Sequence, residues 1–505
     1  HRAMSVDLLA REAACAGLCR DLAAVSDACG RGIAEVEQDR HKVSAPLLQD
    51  TYLQNKVNLY RWGVFAAWQL GDTETMLTRA ELSKAHAGLG WLFRTDDEAL
   101  APGAGDSDLE REFVRLSEQL NDASREAAAR RRSAWDRLMM GRIRAGDGHS
   151  TVPRFSVGAV QSALGADEVV VYHYWLTEAA LLVVTLDRTS VVAERKTLDD
   201  QTRGDLELLA LHPETPEDFA GGGIDGLSAL LLPVEGAPLL AGKDHLILSP
   251  HRLLHQLPLH ALPFDGAPLI RRFAVTYVAN LTSLLLAYPS TKAGGVLALA
   301  VTDFSQVAAD LPDLAGTVGE VEGVCALFRA AGRAALVVGD RDASVAGFEA
   351  HCADRSFGSI HLATHASSIV SATPLESRLY LVDGVLDGLE IARLDIGAEL
   401  IVLSACSAGQ RAVFRRDDQG ELAGDEVFGL QAAFFAAGAR QVVGALWPVE
   451  DEVSSRVLTT FHRLLLGDRP PAVALQQAML TELDRGSTRV EAWAPFHLVA
   501  MGRPR

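Results

Sequence analysis

Two short apolar runs, each ending in a reactive side chain, constrain this chain more than anything else in it. The first is Ile360-His361-Leu362-Ala363-Thr364-His365-Ala366, and the second is Leu400-Ile401-Val402-Leu403-Ser404-Ala405-Cys406-Ser407. An apolar run of this length, bounded by small polar residues, predicts a strand buried on both faces of a parallel sheet. In open α/β sheets, ligands sit beyond the carboxyl ends of the strands. Two neighbouring strands of this kind set the imidazole of His365 and the thiol of Cys406 side by side at that edge. A thiolate nucleophile with a histidine proton shuttle needs that arrangement. Either residue alone reads as a core histidine or a buried thiol; the two together point to catalysis.

The chain around these runs alternates strand and helix patterns from residue 294 onward. Val296–Val301, Ala335–Val338, Gln441–Leu446 and Phe496–Ala500 read as further strands. Val318–Ala331, Ser454–Leu466 and Ala472–Leu483 read as helices. Such alternation predicts a doubly wound, mostly parallel α/β sheet. Residues 155–290 read as mostly strand, including Val169–Trp175, Leu181–Leu186 and His245–Ser249. Residues 5–145 read as helix throughout. There an aromatic-rich helix ends at Gly71-Asp72 and a second begins near Thr75, a pair that resembles a tetratricopeptide unit and equally reads as an ordinary helical bundle with core aromatics. The expected division is an all-α helical module over 1–148, a first α/β half over 155–290 and a second over 291–505.

Ala363-Thr364-His365, Leu403-Ser404-Ala405-Cys406 and the later Ala437-Gly438-Ala439-Arg440 and Leu446-Trp447-Pro448-Val449 occur in a fixed order. Together they resemble the CHAT family of caspase-like cysteine peptidases, which is related to separase. Ser249-Pro250-His251-Arg252-Leu253-Leu254-His255-Gln256-Leu257-Pro258 resembles a segment of the family's first half, a pseudo-protease in separase-like relatives. Glu81-Leu82-Ser83-Lys84-Ala85 is similar to the last helix that often precedes CHAT domains. The resemblance implies a caspase-hemoglobinase fold, with a pseudo-caspase half beside a catalytic half. It implies a cysteine endopeptidase without a cofactor, using Cys406 as nucleophile and His365 as acid and base.

The oxyanion hole is expected from the backbone N–H groups of Cys406 and Ala366. The family usually has glycine where Ala366 stands. If that turn needs a positive φ, alanine costs about 1 kcal/mol. Ser407 and the small residues after it leave room for substrate. The segment from Leu446 to Glu452 resembles one that lines the first specificity pocket in separase-like peptidases. Asp451 is expected to pair there with an arginine or lysine side chain, and Trp447 to form an apolar wall. The competing role for Glu450, Asp451 and Glu452 is to decorate a helix N-terminus. The loop from Ser407 to Gly424 leaves the cysteine strand where caspase relatives carry an activation loop. The implied partner is one dedicated protein substrate, cut in a bacterial defence or death-like pathway, with an activator contacting the helical module. The alternative is a catalytically silent scaffold that binds its partner through that module.

Charge and cysteine content narrow the field further. A net charge of −19 sets the surface against a phosphate backbone, so direct nucleic-acid binding is not expected. Six cysteines in 505 residues make no disulfide framework, and reduced thiols suit a cytoplasmic thiol peptidase. No apolar run reaches the length of a membrane span, so no membrane contact is expected. The opening His1-Arg2-Ala3-Met4 lacks a hydrophobic signal core. No metal is expected either. Cys15 and Cys19 share a helix face without further ligands and read as buried small residues. His251, His255 and His260 lie in an apolar, proline-bounded segment and read as structural.

Overall fold

The structure, a computed structural model, describes residues 2–40, 56–84, 153–213, 223–288, 294–308, 311–367, 377–405, 429–485 and 490–504. Cys406, Ser407, the rest of the loop to Gly424 and the helix read over 109–144 lie outside the described residues.

Eleven strands form one sheet. In chain order they are β1 (Glu168–Thr177), β2 (Ala180–Leu186), β3 (Val191–Thr197), β4 (His245–Ser249), β5 (Ala274–Tyr277) and β6 (Gly295–Ala300). The rest are β7 (Ala335–Gly339), β8 (Phe357–Ala363), β9 (Leu400–Ser404), β10 (Gln441–Ala445) and β11 (Phe496–Ala500). Across the sheet they run β7-β6-β8-β9-β10-β11-β5-β4-β1-β2-β3. The expected mostly parallel, doubly wound sheet is what forms. Strands β7, β6, β8, β9 and β10 are mutually parallel. So are β11, β5, β4 and β1. The two blocks meet antiparallel at β10 and β11. Their carboxyl ends therefore lie at opposite edges of one sheet.

Apolar residues on both sides of each strand explain why the sheet is covered on both faces. In β6, Val296, Ala298 and Ala300 pack with Val321, Val324 and Phe328 of helix Thr317–Ala330. Leu297, Leu299 and Val301 point the other way into the largest core. Burying each such side chain contributes about 1.5–3 kcal/mol. Strand β8 alternates likewise: Ile360 and Leu362 enter the large core, and Ala363 the layer under that helix. The alternation puts His361, fully buried, in the same layer as Ala363.

Among the described residues, four helices come first: α1 (Arg2–Leu18), α2 (Leu22–Arg40), α3 (Val57–Gln69) and α4 (Thr73–Leu82). Helices α3 and α4 meet at a tight turn. Gly71 takes φ +73°, which glycine tolerates, and Asp72 caps α4 by accepting from the Thr75 amide at 3.0 Å. The buried stripe of α1 is Val6, Leu9 and Ala13. Cys15 and Cys19 fall off that stripe and are exposed, which corrects the expectation that they are buried; Leu8 and Leu18 are exposed for the same reason.

Helices α3 and α4 are not a loose appendage. Val64, Ala67, Met76, Leu77 and Ala80 share one buried cluster with Val170, Tyr172 and Tyr174 of β1. The segment after α4 then enters the sheet edge. Lys84 is fully buried, and its Nζ donates to Ser249 O and Ser249 Oγ, both at 2.9 Å, and to His173 O at 3.3 Å. It also sits 3.9 Å over the Tyr172 ring. Ser83 Oγ lies 2.9 Å from Tyr174 OH. Glu81 Oε2 accepts from the amide and hydroxyl of Thr282 at 2.8 and 2.7 Å. Ser249 ends β4, so this junction is at the carboxyl edge of the block β11-β5-β4-β1. The histidines nearby have structural partners: His251 Nδ1 accepts from the Trp175 amide at 2.7 Å and stacks on Tyr174, and His260 meets Tyr277 OH at 2.8 Å.

Candidate functional site

The opposite edge, at the carboxyl ends of β8, β9 and β10, holds the candidate site. Strands β8 and β9 are paired in register, with Ala363 opposite Ser404. His365 and Cys406 each stand two residues past that last pair in sequence. The imidazole of His365 is half-buried and packs against Phe304, ring centroids 4.6 Å apart. Its Nε2 lies 2.8 Å from Pro312 O. A carbonyl can only accept, so Nε2 carries a hydrogen, and in the neutral form of the ring Nδ1 presents a lone pair. The Tyr380 amide donates to His365 O at 3.0 Å and fixes the backbone behind the ring.

Ala366 lies in a short strand, Ala366–Ser367, paired antiparallel with Arg378–Tyr380. It is not among the residues with positive φ, so the alanine in place of glycine carries no backbone strain. The helix expected from Ser454 begins three residues earlier, as Asp451–Leu466, and Asp451 and Glu452 occupy its first turn.

A cavity of about 510 Å³ opens at this edge. His365, Ala405, Val449 and Asp451 are among the residues that line it. The structure thus brings His365 and Asp451 to one cavity. It does not bring Trp447 there: that side chain is buried in the main core, its Nε1 donates to Glu491 O at 3.2 Å, and Leu314, Leu403 and Val449 are among the apolar residues that line the cavity. Among the described residues, no group of three or more His, Cys, Asp or Glu is arranged to hold a metal ion, and no helix is long and apolar enough to cross a membrane.

Sequence reasoning missed two contributors. The orienting carbonyl of Pro312 belongs to the loop after β6 and leaves no sequence signal, since any residue supplies a carbonyl. Glu320 lines the same cavity and is buried. Its signal was legible: Glu320, Val324 and Phe328 fall at i, i+4 and i+8, which puts an acid on the buried stripe of a helix.

A three-layer α/β sheet with histidine and cysteine strands adjacent at one edge defines the caspase-like cysteine peptidase fold. The CHAT domain family model matches residues 227–503, and the chain belongs to that family. Its fold is similar to separase in the Saccharomyces cerevisiae separase–securin complex at 3.0 Å resolution, with TM-score 0.50 and 12% identity over 95% of this chain and 37% of that one. The Arg-specific cysteine proteinase gingipain R aligns with TM-score 0.34 and 9% identity, covering 60% of this chain and 75% of that one. Human tetratricopeptide repeat protein 28 is 28% identical over 138 residues, which is 27% of this chain. The chain spans about 5% of the length of that curated relative.

Proposed function

We propose that this chain is a cysteine endopeptidase in which Cys406 attacks a peptide carbonyl and His365 moves the protons. The reading rests above all on His365, which lines the cavity with Nε2 anchored on Pro312 O and Nδ1 without a partner among the described residues. In this scheme Nδ1 takes the thiol proton as Sγ attacks, and passes it to the departing amine as the C–N bond breaks. The acyl group stays on sulfur as a thioester. Water then attacks that thioester, gives its proton to Nδ1, and releases the acid and the thiol. Backbone N–H groups of Cys406 and Ala366 hold the oxyanion. Asp451 faces the substrate side chain before the cut and favours a basic one.

The target is a single dedicated protein, and an activator acts through the helices that open the chain. Co-expression of the chain with candidate partner proteins, with Cys406 intact or changed to Ala, tests this. Cleavage of one partner that depends on Cys406 supports the reading; cleavage that persists in Cys406→Ala, or none with any partner, refutes it.

A further inference from the structure

Three arginines from three separate elements converge on one carboxylate, at the carboxyl edge of the block β11-β5-β4-β1. Glu178 stands in the turn between β1 and β2, and its side chain is 57% exposed. Arg61 of α3 and Arg252, which opens the turn Arg252–Gln256 after β4, each approach Glu178 Oε1 at 3.8 Å. Arg203 of helix Asp200–Leu211 approaches Oε2 at 3.9 Å. The guanidinium side chains are better buried than the acid they surround: Arg252 is 12% exposed and Arg61 17%. This edge is where open α/β sheets receive ligands.

The carboxylate matches its surroundings poorly. A guanidinium hydrogen-bonded to a carboxylate stands about 2.7–2.9 Å away, and none of the three comes that close to Glu178. A planar group with two oxygens is a poor match for three guanidinium forks arriving from different directions. Arg203 has two more acids, Asp200 at 3.2 Å and Glu207 at 3.9 Å, both on its own helix. Arg61 pairs with no other acid among the described residues.

An arginine that merely fastens these helices looks different. Arg79 of α4 donates to Ser26 Oγ, Ser26 O and Gly63 O at 3.0, 2.8 and 2.9 Å. Arg252 instead takes φ +56°, in the left-handed region that side chains disfavour, and its guanidinium lies 5.2 Å over the Trp175 ring. That indole is buried, and its Nε1 hydrogen finds no acceptor, so one more unpaired donor sits beside the cluster.

We infer that Arg61, Arg203 and Arg252 form a binding site for a phosphate monoester, and that Glu178 is the side chain that fills it until the ligand arrives. A phosphate monoester brings three terminal oxygens in a tetrahedral array and about two negative charges, enough for a fork from each arginine. Glu178 is exposed and hangs from a hairpin turn, so it can swing outward without disturbing the sheet. The net charge of −19 sets the chain against long polyanions and favours a single phosphoryl group, carried by a small molecule or by a phosphorylated side chain of a protein. Because Arg61 belongs to α3, the ligand bridges the helices and the sheet on the edge where Lys84 is fastened. The site is independent of the peptidase reading.

Calorimetric titration of the full chain at pH 8, where the ester is a dianion, tests this with inorganic phosphate, AMP and a short phosphoserine peptide. Arg61→Gln weakens binding about tenfold or more, the loss of one charge-assisted hydrogen bond. Glu178→Gln removes the internal competitor and tightens binding. A cluster with a structural role alone predicts otherwise: Glu178→Gln then lowers the melting temperature and gains no affinity. An unchanged melting temperature verifies the fold of Arg61→Gln, and Arg203→Gln replaces it in the titration if that variant unfolds. No binding of any of the three probes overturns the site. So does equal affinity of wild type and the folded arginine variant, or equal affinity for a peptide with glutamate in place of phosphoserine. Tighter binding of the phosphopeptide than of phosphate or AMP assigns the site to a protein partner, and tighter binding of AMP assigns it to a small molecule.

Discussion

Replacing Lys84 by Met removes the buried ammonium while nearly keeping side-chain volume. The Lys84 ammonium donates to Ser249 O, Ser249 Oγ and His173 O and lies over the Tyr172 ring. Each charge-assisted bond contributes about 1.5–3 kcal/mol against an unmade one. Dehydrating the ammonium offsets much of that sum. Removing it takes a donor from each of these three acceptors and strips buried Glu81 of its cationic neighbour. Burial already pushes the Glu81 carboxyl above the usual range, with Lys84 and the Thr282 bonds pulling the other way. Breaking such a buried set costs about 3–5 kcal/mol, and that is the loss expected for Lys84→Met. Urea unfolding at neutral pH, followed by tryptophan fluorescence, measures it. The double variant with Ser249→Ala should be less than additive, because the two residues share a contact. A loss under about 1 kcal/mol, the level of an exposed ion pair, would refute the view that this lysine fastens the helices to the sheet.

On the peptidase proposal, Cys406→Ala and His365→Ala should each abolish proteolysis of a protein substrate while leaving the melting temperature within a few degrees of wild type. Measurable cleavage by either pure variant would refute the dyad. Acid should weaken the fold well before the carboxylates protonate. Burial holds His173 and His260 down at about 4. The unfolded chain therefore takes up protons that the native one refuses as pH falls from about 6.5 to 4, at about 3 kcal/mol per histidine. A flat stability profile between pH 7 and 5 in a calorimeter would contradict this. Burial pushes Glu168 up, but bonds with His245, the Gly165 amide and Arg503 outweigh it and leave its pKa at about 2. Its stabilising effect, about 3 kcal/mol, is complete above pH 4.5 and is lost as pH falls toward 2. Arg503→Met, which removes a 2.7 Å contact to Glu168, should move acid unfolding to higher pH; an unmoved midpoint would count against the contact.

The strands of the site were legible because a buried parallel strand leaves an unmixed apolar run. Ile360–Ala363 and Leu400–Leu403 announce both the element and its end, and the reactive residues follow at once. Register could not be read that way, since two apolar runs pair in several offsets; it took the structure to set Ala363 against Ser404. Trp447 shows the limit of reading a motif as a wall. Its size makes it useful either to a pocket or to a core, and only the packing of the chain decides for the core. The motif around Glu81 and Lys84 was visible as a family-like segment. Its task was not, because the partners Ser249 and Thr282 lie far along the chain.

The reversal of strand direction at β10 and β11 has a kinetic corollary. Helices α3 and α4 are fastened at one edge of the sheet, and the cavity with His365 opens at the other. A protein gripping those helices at that fastening need not occupy the mouth. With short peptides it should alter turnover and leave their apparent affinity alone, whereas a blocker of the mouth should behave competitively.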